Sequence, residues 1–594
     1  MALLPFIAEC LISVLVFYAL VAIGVGLNRL IRTKEEIVHY FAIGLFFFTL
    51  VSINQFLIPE AWKSAYFYLS ISLLIFLIVL GCFNLSNKID LKSTLISSLG
   101  LFLIPVSILI LLYSTLLVKV HSLVLTLVTN GNNDLGSYAL QASNLVSHGF
   151  GSGSRLLNFS LGTWSRFDHP GVMSIIAELQ KITKFPIYIC VAVIQFCLFF
   201  GIYFGVLYLV QIRRRFKSAG ILAGTICSLP YLLYVEVNGF IAQEFGILIY
   251  IVAIDLLLVK ISFFRKILNA ALFFLIAFLV SPESVLVSIL LFAIQTVLSI
   301  SAQFFIRSKK FKQEVSGRSQ LQDHVLARFT DGVAWLLGIG LALICLGTLR
   351  APIVRVLLKS GRGGVAGWDL SYSNLFSWFD LTPIGRPGSN ALFLGLIIIF
   401  LCMLAAKLLK PGKINSCLEF DAFAVSALAL VSFGMIKWHF DGYQSWKLFF
   451  SLSFVVIPIV CSRLSIGKIT TSILPFFIVI SAITLSLQMW PHREHNTNML
   501  ERYYVSEDLL KVVDWVDKRQ APVSINSQSL FINMTLAATI KTGVTKIDGP
   551  NYFLPINPKI SSSCEIVDWP QSILKDKPVS YRSGNYAVIG QCTP

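Results

Sequence analysis

The polar segment between residues 130 and 186 contains the side chains best suited to chemistry in this chain. It places Asp134, Tyr138, Asp168 and His169 between two strongly apolar stretches. A carboxylate can accept a proton or bind a cation, and a phenol or an imidazole can transfer a proton or hydrogen-bond a substrate. Ionisable residues beside a membrane usually serve catalysis or transport. The segment is therefore the first candidate site, although a solvated surface loop would have a similar composition.

Two short helices are expected to position these groups. The run LGSYALQASNLVSHG, which follows Asp134, has helical spacing and stops at a glycine. Asp134 would then lie at or near a helix N-terminus, where the helix dipole favours a carboxylate, so helix capping is its alternative role. A second amphipathic stretch, residues 170–182, follows the sequence FDHPG. We expect both helices to lie flat on the outer membrane surface.

Three further polar segments adjoin apolar stretches and could face a cavity. Residues 234–246 could bind sugar hydroxyls or form a solvated turn. Residues 361–388 are rich in Gly and aromatic residues, which could stack on sugar rings or belong to an interfacial aromatic belt. Residues 441–447 read DGYQSWK. The candidate binding residues in these segments are Glu236, Glu244, Arg362, Arg386, Tyr443 and Lys447.

The composition is that of a membrane protein. Of the 594 residues, 56% are hydrophobic and 13% are charged, and the mean hydropathy is +0.79. Apolar runs of about twenty residues, the length that crosses a bilayer core, number about fourteen. Their centres lie near residues 15, 48, 73, 106, 198, 226, 250, 274, 295, 341, 400, 428, 455 and 480. We therefore predict a polytopic α-helical membrane protein whose transmembrane region covers residues 1–490.

Basic residues orient these predicted spans. Clusters of Lys and Arg occupy seven turns, near residues 29–34, 88–92, 213–217, 260–266, 307–312, 407–413 and 463–468. By the positive-inside rule these turns are cytoplasmic. Both termini are then extracytoplasmic, and the polar segments described above, together with the C-terminal tail, face the outer side.

Residues 491–594 are predicted to form a small extracytoplasmic α/β domain. The sequence SEDLLKVVDWVDKRQ predicts an amphipathic helix with Ser506 as its N-cap. Its apolar stripe comprises Leu509, Val512, Val513 and Val516. The sequences PVSIN, VTKID and YAVIG predict strands. Of eleven cysteines only Cys564 and Cys592 lie in this tail, and they are a candidate disulfide if it faces an oxidising compartment.

Several of these features together resemble the GT-C superfamily of integral membrane glycosyltransferases. Asp134 and Tyr138 lie four residues apart in a large outer loop that is predicted to form two interfacial helices. The sequence HPG begins at His169, and the outer DGYQSWK is similar to sequences of bacterial members, which place a Tyr and a Lys at the outer start of a late helix. A core of many helices followed by an outer soluble tail is also similar.

The resemblance implies transfer of a sugar from a polyprenyl-phosphate carrier to a glycan, lipid or protein acceptor outside the cytoplasm. It gives Asp134 the role of general base, or of ligand to a divalent cation such as Mg²⁺ or Mn²⁺, and no other cofactor is implied. Because Asn133 stands where metal-dependent members have a paired acid, a second carboxylate would come from Asp168, Glu236, Glu244 or Asp441. The cations that could hold the departing phosphate are Lys447, Arg362, Arg386 and Arg166.

Other functions fit parts of the same sequence. A transporter or flippase for lipid-linked saccharides could also have about fourteen spans. An outer-face polymerase or ligase would share the large outer loops, and a scaffold would recruit partners through the tail. The net charge of +17 comes mostly from basic residues in short turns, so it indicates orientation and no nucleic-acid partner. The resemblance implies a multi-pass protein of the bacterial plasma membrane.

Overall fold

The computed structural model describes most of the N-terminal helices, the two loop helices and much of the tail. The described residues are 3–31, 37–87, 102–107, 109, 134–148, 169–211, 241–258, 262–282, 285, 318–347, 454, 458, 505–541, 544–548, 554–555, 564–569 and 578–592. The chain divides into two compact units. One comprises Met1–Gly201, Leu233–Glu244 and Met489–Pro594, and the other comprises Ile202–Leu232 and Phe245–Gln488.

Before the tail the structure gives the bounds of nine helices, and residues 102–107 are helical as well. The nine helices are α1 (Leu3–Ile31), α2 (Ile37–Leu57), α3 (Glu60–Asn87), α4 (Asp134–His148), α5 (Pro170–Thr183), α6 (Ile187–Gln211), α7 (Ile241–Leu258), α8 (Phe263–Val280) and α9 (Arg318–Cys345). The predicted apolar segments centred near residues 15, 48, 73, 198, 250, 274 and 341 each fall within one of them. The other predicted segments lie largely or wholly outside the described residues.

Five of the described helices are long and apolar enough to cross a membrane. The spans are Ile7–Asn28, Ile37–Leu57, Ala61–Asn84, Ile187–Val210 and Phe263–Val280. Large apolar side chains on one face of α3, such as Trp62 and Phe76, are exposed, as expected for a helix that faces lipid. Helices of this length and composition indicate a protein embedded in a membrane.

Small residues allow the first helices to pack closely. Gly24 in α1 faces the backbone carbonyl of Tyr40 in α2, and Gly81 in α3 faces that of Ala22, so neither position has room for a Cβ atom. Aromatic rings fill the space beside them, since Phe17 stacks on Phe41 with ring centroids 4.3 Å apart. The first three helices are therefore held by close backbone contact and aromatic packing.

In the second unit, α8 and α9 pack against each other. Trp335 of α9 makes ring contacts with Phe273 and Phe274, with centroids 6.0 and 5.2 Å away. Gly338 faces Ala270 at the same interface and has no room for a larger side chain there. A small residue beside a large aromatic ring fixes the separation of the two helices.

The tail contains a mixed sheet. Its strands are β1 (Val523–Asn526), β2 (Val544–Asp548), β3 (Leu554–Pro555), β4 (Cys564–Asp568), β5 (Val579–Ser583) and β6 (Tyr586–Gly590), and their order is β3-β2-β1-β4-β6-β5. The central strand β1 is parallel to both β2 and β4, and the remaining pairs are antiparallel. Three of these strands coincide with the predicted PVSIN, VTKID and YAVIG.

Two helices accompany the sheet, α10 (Glu507–Arg519) and α11 (Leu530–Thr539). The Ser506 hydroxyl accepts a hydrogen bond from the Leu509 backbone N–H at 3.1 Å, so the predicted N-cap is confirmed. The predicted apolar stripe of α10 is buried, as its spacing requires. Cys564 and Cys592 form a disulfide that joins the start of β4 to the residues after β6.

Candidate functional site

The first loop helix, α4, begins at Asp134. The Asp134 side chain is partly exposed, whereas Tyr138, one turn later, is 8% exposed. Residues four apart lie on the same face of an α-helix, so the carboxyl and the phenol share one face. The N-terminal position also suits a carboxylate electrostatically, because the first turn of a helix carries partial positive charge.

The second loop helix, α5, begins directly after His169. Pro170 occupies its first turn, where a missing backbone N–H costs nothing, and His169 precedes it as the N-cap residue without a side-chain capping bond. The His169 ring lies near the Tyr138 ring, with centroids 6.4 Å apart and an interplanar angle of 50°. The packing of α4 against α5 therefore brings together a phenol and an imidazole that are distant in sequence.

A buried carboxyl that the sequence analysis did not single out lies further along α5. Glu178 exposes 0% of its surface, and neither carboxylate oxygen has a hydrogen-bond partner among the described residues. Burial raises the pKa of the Glu178 carboxyl to about 7, and the Lys181 ammonium lowers it to a smaller extent. The sequence did contain a signal for this burial. Glu178 follows Val172 and Ile175 at three-residue intervals, which places it on the apolar face of the helix.

Lys181 of α5 lies over aromatic rings near the C-terminal end of α2 and in α3. Its ammonium lies 5.3 Å from the ring centroid of Phe56 in α2 and 5.1 Å from that of Phe67 in α3. The Glu178 carboxyl interacts electrostatically with the Tyr66 hydroxyl of α3. Aromatic faces attract cations, so these contacts hold α5 against the membrane helices.

The remaining predicted residues are only partly within the described structure. Glu244 lies in the first turn of α7 and is fully buried. The candidates outside the described residues are Asp168, Glu236, Arg362, Arg386, Tyr443 and Lys447, together with Arg166 and Asp441. Among the predicted site residues, the structure thus shows a contact between Tyr138 and His169 and places Asp134 one turn from Tyr138.

The described residues do not by themselves form a metal centre. Within the described ranges, no three His, Cys, Asp or Glu side chains are grouped closely enough to hold one metal ion. Asp134 lies one turn from Tyr138, and a carboxylate on the same helix face as a phenol could accept a proton from a hydroxyl group.

Comparison with protein-family models yields no match for this sequence, and comparison with curated proteins yields no match either.

Proposed function

We propose that the protein is an integral membrane glycosyltransferase that moves a sugar from a polyprenyl-phosphate carrier to an extracytoplasmic acceptor. The acceptor would be a cell-envelope glycan, a glycolipid or a protein. In this proposal the membrane is the bacterial plasma membrane, and both termini lie outside the cytoplasm. The assignment combines the sequence resemblance to the GT-C superfamily with the arrangement of the two loop helices.

One observation carries the proposal, namely that α4 and α5 bring the Tyr138 ring to within 6.4 Å of the His169 ring, between centroids. Asp134 lies one turn from Tyr138 on the same face of α4. A carboxylate one turn from a phenol, where that phenol contacts an imidazole, supports deprotonation of a hydroxyl that the phenol and the imidazole orient. Helices long enough to cross a membrane support a donor that is anchored in the bilayer by its lipid.

The proposed reaction needs one base and no redox partner. Asp134 accepts the proton of the acceptor hydroxyl as its oxygen forms a bond to the anomeric carbon. The bond between that carbon and the phosphate oxygen breaks, and the polyprenyl phosphate leaves with the electron pair. Cationic side chains stabilise the charge that develops on the phosphate, and the sequence offers Lys447, Arg362 and Arg386 for this role.

The test is a profile of lipid-linked sugars and envelope glycans, by mass spectrometry, in a host strain from which this chain is deleted. The strain is rescued with wild type, with Asp134→Asn, or with Asp514→Asn as a matched control. Asp514 is 63% exposed and pairs with Lys518 on the surface of α10, so its substitution should have no effect. We expect wild type and the control to restore the product.

Asp134→Asn should lower product formation by about 10²- to 10⁴-fold, the usual contribution of a general base, and polyprenyl-phosphate sugar should accumulate. Full rescue by Asp134→Asn would mean that this carboxylate only stabilises the helix N-terminus. A flippase or an outer-face polymerase of lipid-linked saccharides would then become the better assignment.

A further inference from the structure

The tail helix α11 packs directly on the loop helix α4. Its sequence, LFINMTLAAT, is apolar on nearly every side, and Phe531, Ile532 and Leu536 each expose 0% of their surface. A helix that is hydrophobic all round must be covered on all sides. The strands β1 and β2 cover one side of α11, and α4 covers another.

The two helices approach each other closely at Gly136 of α4. A Cβ atom placed there would lie 3.0 Å from the backbone oxygen of Phe531, 3.2 Å from its ring and 3.4 Å from the Cβ of Met534. Glycine is unfavourable inside a helix, so its presence between Asp134 and Tyr138 is explained by this close contact. The contact thus lies two residues from each of the proposed site residues.

A second contact fixes the relative direction of the two helices. The Ser143 hydroxyl of α4 donates a hydrogen bond to the backbone oxygen of Ala538 in α11 at 3.0 Å. Residues 136 and 143 are seven apart, and so are residues 531 and 538. The helices therefore run parallel and in register for about two turns, or about 10 Å.

Within the tail, hydrogen bonds connect α11 to the sheet. The Asn533 side chain accepts from the Ser527 backbone N–H and donates to the Ser527 carbonyl, both at 2.8 Å. Asp568, at the end of β4, accepts from the Ser527 hydroxyl at 2.8 Å and from the Gln528 backbone N–H at 2.7 Å. The orientation of α11 is thereby tied to β1 and β4.

We propose that the C-terminal domain is the positioning element of the site, and that Gly136 and Ser143 are positioning residues that set α4, and with it Asp134, through α11. This inference rests on the proposed function. A helix of fifteen residues is marginal alone in water, so α4 depends on its neighbours for its conformation and orientation. Loss of the contact with α11 should therefore displace the Asp134 carboxylate, although Asp134 itself is unchanged.

The first test is hydrogen–deuterium exchange of the full-length protein in lipid nanodiscs, comparing Gly136→Leu with Gly340→Leu. Leucine favours helix more than glycine does, so loosening of α4 in the first variant would come from the clash with Phe531. Gly340 in α9 has no described heavy atom within 4 Å of a built Cβ and is the matched control. We expect Gly136→Leu to raise exchange in residues 134–148 at least about tenfold and the control to leave it unchanged. Unchanged exchange in Gly136→Leu would overturn the inference.

The second test separates positioning from general destabilisation by a double-mutant cycle on product formation. Asp134→Asn, Gly136→Leu and the double variant are compared at equal amounts of membrane-inserted protein that retains the Cys564–Cys592 disulfide. If Gly136 acts through Asp134, the double variant should be within about threefold of Asp134→Asn alone. If the two losses multiply, Gly136 has only a general structural role and the inference is wrong.

The two tests also distinguish this inference from the proposed function. If Asp134→Asn keeps full activity, the glycosyltransferase proposal fails, whereas the exchange data still decide whether α11 holds α4. If Gly136→Leu loosens α4 but leaves product formation at the wild-type level, the docking exists and the positioning role is refuted.

Discussion

The two loop helices are attached to the rest of the protein in different ways. Helix α4 contacts the tail by backbone proximity at Gly136 and by a neutral hydrogen bond from Ser143 to the backbone oxygen of Ala538. Helix α5 packs on α2 and holds a buried carboxyl, Glu178, and an ammonium, Lys181, that lies over aromatic rings. Neutral contacts do not titrate and are little affected by salt, whereas the contacts of α5 include ionisable groups.

The two helices should therefore loosen under different conditions. Damage to the tail should release α4 while α5 remains on α2. A change of pH should act on α5 first, since Glu178 is the buried ionisable residue in it. The contact between Tyr138 and His169 joins the two helices, so either change would alter the geometry of the proposed site.

The largest effect is expected from Phe531→Ala, which removes a fully buried side chain between the sheet and α4. Truncation of a buried Phe typically costs about 3–5 kcal/mol of unfolding free energy. Exchange should rise in α10, α11 and α4, and α5 should keep most of its protection. Hydrogen–deuterium exchange measures all four helices in one experiment.

Phe264→Ala is the matched control for that prediction, because Phe264 in α8 is 68% exposed. It loses little packing, so the tail and α4 should exchange as in wild type. Equal loosening of α5 and α4 in Phe531→Ala would contradict the separate attachment of the two loop helices.

The next effect concerns pH and α5. The pKa of Glu178, raised by burial to about 7 from an ordinary 4.5, means that the packed helix binds this proton more tightly than the unfolded chain does. The packing of α5 should then be most stable below pH 4.5, weaken as the pH rises to about 7, and change little above that. The total loss is on the order of 3 kcal/mol.

Glu178→Gln tests this dependence, because glutamine keeps the shape and cannot ionise. Protection of residues 170–183, corrected for the intrinsic pH dependence of exchange, should fall between pH 5 and pH 7 in wild type and stay level in the variant. Glu507→Gln, a half-exposed position paired with Lys511 on α10, should behave as wild type. A decline that persists in Glu178→Gln would assign the pH dependence to another group.

Sequence patterns predicted those parts of the molecule that local forces determine. The stripe of Leu509, Val512, Val513 and Val516 repeats at helical spacing, and the Ser506 cap follows from the residue types around it. The helix after Asp134 and the helix after His169 lie where periodicity and the Pro and Gly signals predicted them. Cys564 and Cys592 form a disulfide, as their isolation in the tail had indicated.

The remaining features of the structure depend on long-range packing, which the periodicity of a sequence does not reveal. Helix α11 was not predicted, because LFINMTLAAT is apolar on nearly every side and shows no stripe. The bond between Ser143 and Ala538 joins residues 395 apart in sequence. Glu178 is fully buried in a helix that packs on α2 and α4, which a sequence cannot show without the fold. The close Tyr138–His169 contact likewise depends on the crossing of two helices.

Lys181→Met is expected to have the smallest effect, and it is the sharpest test of the comparison between α4 and α5. Methionine keeps the length of the side chain but loses the attraction of the ammonium to the rings of Phe56 and Phe67, about 0.5–1 kcal/mol. At pH 6, where Glu178 is mostly neutral, protection of α5 should therefore fall only about two- to fivefold.

Because Lys181 lowers the pKa of Glu178, its removal should also move the pH-dependent decline in α5 protection to higher pH. Lys518→Met, at a position 74% exposed on α10, is the control and should change neither quantity. A decline at the same pH in Lys181→Met as in wild type would show that Lys181 does not act on the Glu178 carboxyl, and the proposed electrostatic contribution of Lys181 to the attachment of α5 would be wrong.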